Sequence, residues 1–106
     1  MIARYQFAPT TEPVPGIVRR VLANSPEIML TEHTLKKGAI LPEHHHPHVQ
    51  LVYLLSGQFV IEMNSERLII EKGDSFVIPS NTVHKVTALA DSLVLDIFTP
   101  ARQDYL

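Results

Sequence analysis

The chain contains no cysteine, which excludes disulfides and thiolate ligands and leaves only imidazole, amide or carboxylate for a metal site. It also lacks a strong excess of either charge: Lys and Arg number 9 against 11 Asp and Glu, for a formal net charge of -2. The basic residues are scattered, so no surface for a phosphate backbone is expected and nucleic acid is excluded as a partner. No stretch approaches the ~18 apolar residues needed to span a bilayer, and Met1 to Thr10 has no apolar signal-peptide core. The expectation is a cytoplasmic protein with no membrane association. Helical periodicity is missing over any window of ~11 residues, as are repeats, linkers and low-complexity segments. With 106 residues, 45% of them hydrophobic and 19% charged, the chain suits one globular domain, residues 1–106, and is too short for two cores.

Turn-forming residues recur at short intervals: Pro13 to Gly16, Asn24 to Pro26, Gly38, Pro42, Ser56-Gly57, Asn64-Ser65, Gly73-Asp74, Pro79 to Asn81 and Asp91-Ser92. Between them lie short segments rich in β-branched and aromatic residues, among them Ile17 to Ala23, Val49 to Leu55, Gln58 to Met63, Leu68 to Ile70, Phe76 to Ile78 and Leu93 to Phe98. Such segments read as strands, and their regular spacing predicts an all-β sandwich or barrel. Gly57 and Asn64-Ser65 flank Gln58 to Met63, which predicts a three-stranded meander around tight turns. Leu51 to Leu55 and Phe76 to Ile78 do not alternate with polar residues. Both faces of these strands are therefore expected to be covered, and a second copy of the chain would cover the outer one, which predicts a homodimer.

The run Glu43-His44-His45-His46-Pro47-His48-Val49-Gln50 carries four of the six histidines. If it is extended, His44, His46, His48 and Gln50 share one face, with His45 and Val49 on the other. His84, in a predicted strand within Thr82 to Ala90, could run alongside and complete a ligand set. A solvated histidine-rich loop is the alternative for any one of these residues taken alone.

Two spacings occur together: Gly38, five residues, His44-x-His46, three residues, Gln50, six residues, Gly57; then Gly73, five residues, Pro79, four residues, His84. This pattern resembles the two motifs of the cupin superfamily, which implies the cupin double-stranded β-helix, a jelly-roll barrel. The resemblance implies one divalent metal ion, held by His44, His46, Gln50 and His84. Gln50 stands where the family has a carboxylate, and Asn81 where it has glycine, although Asn tolerates the left-handed turn. A neutral amide would leave the ion its full positive charge, and Gln50 could instead lie outside the ligand set. Imidazole suits Ni, Zn, Fe or Mn, so the ion is not named by its ligands.

The segment Leu95 to Leu106, like His44 to Gln50, resembles the small KdgF-type pectin-degradation cupins. That likeness implies linearisation of 4,5-unsaturated monouronates, and a sugar acid as the small-molecule substrate. Asp96 shares parity with Phe98 in an apolar strand and is expected to point inward, where an idle carboxylate is costly. Asp96 and Arg102 are the candidate catalytic residues: Asp96 moves a proton and Arg102 grips the substrate carboxylate with its planar fork. Phe98 offers an apolar wall and His48 a pocket contact. Asp96 and Arg102 could equally pair with each other and close the barrel end. His33 and Tyr53 read as core residues. Two other functions fit a cupin with three histidines: a dioxygenase, or a non-catalytic sugar-binding or sensing module.

Overall fold

The structure is a computed structural model describing residues 1–106. Ten strands carry the chain: β1 (Thr10–Val14), β2 (Ile17–Ser25), β3 (Ile28–Leu35), β4 (Ile40–His44), β5 (Val49–Ser56), β6 (Gln58–Met63), β7 (Glu66–Glu71), β8 (Ser75–Ile78), β9 (His84–Ala88) and β10 (Ser92–Thr99). The other regular elements are single 3-10 turns at Tyr5–Phe7 and Gln103–Tyr105, and no helix is long and apolar enough to cross a membrane. The strands form a six-stranded sheet in the order β1-β2-β3-β10-β5-β8 and a four-stranded sheet in the order β4-β9-β6-β7. All pairings are antiparallel.

Alternation builds the interior. On β10, Ser92, Val94, Asp96 and Phe98 are buried while the residues between them are partly exposed. One apolar cluster joins Leu35, Val52, Leu54, Ile78 and Val94 of the six-stranded sheet to Phe59, Ile61, Ile70 and Ala88 of the four-stranded sheet. The two sheets are therefore packed face to face, as in a jelly roll. A smaller cluster of Val21, Met29, Phe98 and Ala101 fills the end where the C-terminal 3-10 turn lies.

Four expectations need correction. Gln58 to Met63 does not form a meander with β5. Of these two turns it is Asn64-Ser65, with both φ values positive (55° and 62°), that makes a hairpin, joining β6 to β7. Gly57 instead marks the crossing from one sheet to the other; its φ is +95°, and a Cβ there would collide with Asp91 and Ser92. Second, Tyr53 is an outer-face residue, not a core one: within the chain β5 buries Val52 and Leu54, 3% and 0% exposed, and leaves Leu51, Tyr53 and Leu55 42%, 42% and 36% exposed. Third, β1 and β4 were not expected as strands. Each lies at a sheet edge and contains a proline, Pro13 and Pro42, placed where the register shifts, a position where the missing N–H is tolerated.

The last correction concerns the histidine run. His44 ends β4 in one sheet, Gln50 lies in β5 of the other, and 45–48 is the loop between them. Convergence of these side chains comes from the crossing of two sheets, not from alternation along one strand. The loop is tied down by the turn before β9: the Asn81 N–H donates to the His46 carbonyl (2.7 Å) and the Ser80 hydroxyl to the Pro47 carbonyl (2.6 Å). Asn81 adopts the left-handed conformation, with φ 59°.

Candidate metal centre and adjoining cavity

His44 and His84 are direct cross-strand partners on β4 and β9, and their ring centroids are 4.1 Å apart. His46, on the anchored loop, brings its ring to 5.3 Å from that of His84 and 5.8 Å from that of His44. One nitrogen from each of the three lies within 4.8 Å of the others.

Their protonation follows from hydrogen bonding. Nδ1 of His44 lies 2.9 Å from the Pro42 carbonyl, Nδ1 of His46 3.1 Å from the His48 carbonyl, and Nδ1 of His84 2.8 Å from the Thr82 carbonyl. A carbonyl only accepts, so in His44 and His84 Nδ1 carries the proton and Nε2 presents a lone pair, whereas His46 has an oxygen acceptor at each ring nitrogen, the His48 carbonyl at Nδ1 and the Gln50 amide oxygen at Nε2. Burial lowers the pKa of all three, that of His84 to about 4, so the rings stay neutral near pH 7. The His84 Nε2 is buried without a hydrogen-bond partner.

Gln50 adds an oxygen. Its Nε2 donates to Asp96 Oδ1 at 2.8 Å, which turns Oε1 toward His46 Nε2, 3.0 Å away. With the His46 proton on Nε2 this is a hydrogen bond to the amide oxygen, and with the proton on Nδ1 the two atoms offer lone pairs that a cation would share. The orphaned His84 nitrogen, the fixed tautomers of His44 and His84 and this oxygen all fit a divalent ion of the borderline kind that imidazole favours.

A cavity of about 240 Å³ adjoins the cluster, lined by 21 residues of which 12 are hydrophobic. Its polar wall includes His44, Gln50, His84, Asp96 and Arg102. Asp96 points inward, as its parity predicts, and is 4% exposed. It does not pair with Arg102. His33 Nδ1 lies 2.7 Å from Asp96 Oδ2, and Arg102 binds Asp104 instead, through Nε (3.0 Å) and Nη2 (2.8 Å). The Arg102 guanidinium holds the Asp104 carboxyl below its usual range.

Phe98 is buried on the cavity wall, 5.8 Å from the His46 ring and 5.2 Å from the Arg102 guanidinium. His48 is half-buried beside His46 and Phe98 and is not among the residues lining the cavity. Its carbonyl lies 3.1 Å from His46 Nδ1. His45 is exposed. Three lining residues escaped the sequence reading: Arg19, Asp104 and Tyr105. Arg19 carried a usable signal, since it shares parity on β2 with Ile17 and Val21, both buried. The Tyr105 ring packs under both arginines, 3.4 Å from Arg19 Cζ and 4.3 Å from Arg102 Cζ. Nothing in the residue spacing of the tail announces that contact.

A jelly roll enclosing three converging imidazoles defines a class, and the cupin-domain family matches residues 31–98, so the chain belongs to the cupin family. Within it, the chain is 33% identical over 93 residues to the pectin degradation protein KdgF of Dickeya dadantii, covering 86% of this chain and 84% of that protein. The solved structure of KdgF from a Halomonas species superposes with a TM-score of 0.91 at 34% identity, covering 100% of this chain and 98% of that one. An RmlC-like cupin from Shewanella frigidimarina superposes with a TM-score of 0.92 at 26% identity, covering 99% and 95%.

Proposed function

We propose that the protein linearises 4,5-unsaturated monouronates in a metal-dependent reaction. The observation that carries this reading is a cluster of three imidazoles, two of which, His44 and His84, line one small cavity together with an inward carboxylate and a guanidinium. His44, His46, His84 and Gln50 would hold the ion. When bound, it supplies Lewis acidity toward a ring or anomeric oxygen of the sugar.

The reaction is an isomerisation. The anomeric hydroxyl gives up a proton, the bond between the anomeric carbon and the ring oxygen breaks, and the enolate so released takes a proton on carbon to become a ketone. Asp96 is the group for both transfers, accepting the first proton and delivering the second. Arg102 positions the substrate. Asp104 occupies its Nε–Nη2 edge, so the substrate carboxylate is received on the Nη1–Nη2 edge, with Asp104 steadying the guanidinium from behind. Phe98 offers the sugar ring an apolar face, and His48 supports the loop from which His46 reaches the ion.

The reading includes a homodimer in the cytoplasm. Leu51, Tyr53, Leu55 and Val77 expose between 36% and 50% of their surface on the outer side of β5 and β8, a patch suited to a second copy. Static light scattering tests this: a dimer in the native protein and a monomer for Leu51→Glu are expected, whereas a native monomer rules the dimer out.

The deciding assay follows the ultraviolet absorbance of a 4,5-unsaturated galacturonate with metal-loaded and chelator-treated protein. Loss of the conjugated signal faster than the spontaneous rate, in the loaded sample only, is expected. Equal rates in both samples would overturn the proposal and direct attention to oxygen uptake and sugar binding.

A further inference from the structure

Four polar side chains cross the inner face of the six-stranded sheet on four neighbouring strands: Arg19 on β2, His33 on β3, Asp96 on β10 and Gln50 on β5. Arg19 lies directly opposite His33. His33 faces Val94 and Gln50 faces Phe98 across the ladders, so Asp96 stands diagonal to both. The hydrogen bonds run without a gap: Arg19 Nε to His33 Nε2 at 3.2 Å, His33 Nδ1 to Asp96 Oδ2 at 2.7 Å, and Gln50 Nε2 to Asp96 Oδ1 at 2.8 Å.

The direction of these bonds is set by their ends. A guanidinium only donates, so His33 Nε2 must accept, and the one ring proton sits on Nδ1, donated to Asp96. A proton on Nε2 would face the N–H of Arg19. The close contact of His33 with Asp96 is therefore a neutral N–H held against a carboxylate, not an imidazolium ion pair. Arg19 cannot turn away freely, because its guanidinium lies 3.4 Å from the centre of the Tyr105 ring.

We propose that His33 is a positioning residue for Asp96 and that Arg19 locks the His33 tautomer in which it can play that part. Asp96 shares its cavity with Arg102, a cation it does not bind. With donors on both oxygens, Asp96 is held away from Arg102, and each of the two groups stays available to a ligand. Without His33, one carboxylate oxygen loses its donor, and rotation toward Arg102 would join the two and close the site. The same clamp keeps Gln50 Nε2 engaged and so keeps its amide oxygen aimed at the imidazoles. This inference rests on the reading of Asp96 as the proton carrier only where turnover is the readout.

The test pairs spectroscopy with kinetics. Nitrogen-15 histidine spectra of the native protein should show His33 as the Nδ1–H tautomer, and Arg19→Met should convert it to a mixture or to the Nε2–H form. On a 4,5-unsaturated monouronate, His33→Leu should lower kcat by about 10-fold or more with little change in KM or metal content. His33→Asn, whose amide N–H takes the place of Nδ1–H, should recover most of that loss. A structural contact alone would not give rescue by Asn. An Nε2–H or doubly protonated His33 in the native protein, or equal kcat for the Leu and Asn variants, would overturn the proposal. If the native protein does not turn over the uronate, the functional proposal fails, and the tautomer spectra of the native and Arg19→Met proteins still decide this one.

Discussion

The two sheets hold their polar residues in different ways. His44 and His84 of the four-stranded sheet, with His46 on the adjoining loop, are each fixed by a main-chain carbonyl two residues away in sequence. Arg19, His33, Asp96 and Gln50 of the six-stranded sheet are fixed by one another. A carbonyl stays in place when a neighbouring side chain changes, whereas a chain of side chains passes each change along. The imidazole cluster should therefore respond to substitution one residue at a time, and the opposite wall as a unit.

The largest effect separates the two walls. Asp96→Ala combined with Arg102→Ala should abolish turnover, by about 1,000-fold or more for two such groups, while leaving metal content as in the native protein. Unchanged turnover would remove both residues from the chemistry. His84→Ala should do the reverse of the double variant in elemental analysis and lose the metal, since it removes the nitrogen that has no other partner.

Gln50→Glu sharpens the comparison by changing the one residue that belongs to both walls. The new carboxylate would strengthen metal binding but withdraw the N–H from Asp96 Oδ1 and set two like charges side by side. Metal titration should show tighter binding, and kcat should fall.

Acid should act on the imidazole wall. Burial holds the His84 pKa at about 4 against 6.5 unfolded, so between those values the unfolded chain binds more protons than the folded one. Stability of the metal-free protein is then full above pH 6.5 and falls as the pH drops toward 4, and His84→Leu should flatten that slope in thermal melts. The smallest effect is expected for Asp104→Asn. Its carboxyl is exposed on the far edge of Arg102, so a rise in KM of about 2- to 5-fold, with kcat retained, fits the modest worth of an exposed ion pair; a fall in KM would instead show Asp104 competing with the substrate.

Strand spacing alone pointed to a sandwich or barrel, and it was the resemblance of Gly38, His44, His46, Gln50, Gly57, Gly73, Pro79 and His84 to the cupin motifs that made the jelly roll and the three clustered imidazoles legible. Parity alone placed Asp96 inside. Strand alternation failed across 45–48, where the chain leaves one sheet for the other and period-two logic has no ladder to act on. The prolines of β1 and β4 read as turns because only the sheet-edge position, invisible in the sequence, makes a strand proline acceptable. The partner of Arg102 was likewise hidden: Asp96 was the expected one, but its oxygens are taken by His33 and Gln50, and Arg102 binds Asp104 two residues along.

The neutrality of the three imidazoles carries a thermodynamic consequence. Metal binding to histidines usually displaces protons, and the heat of that exchange varies with the buffer that collects them. Here all three rings are already neutral, with their acid-base equilibria pushed below the ordinary value by burial. Loading at pH 7.5 should thus release almost no protons, and calorimetric enthalpies measured in buffers of widely different ionisation heat should coincide.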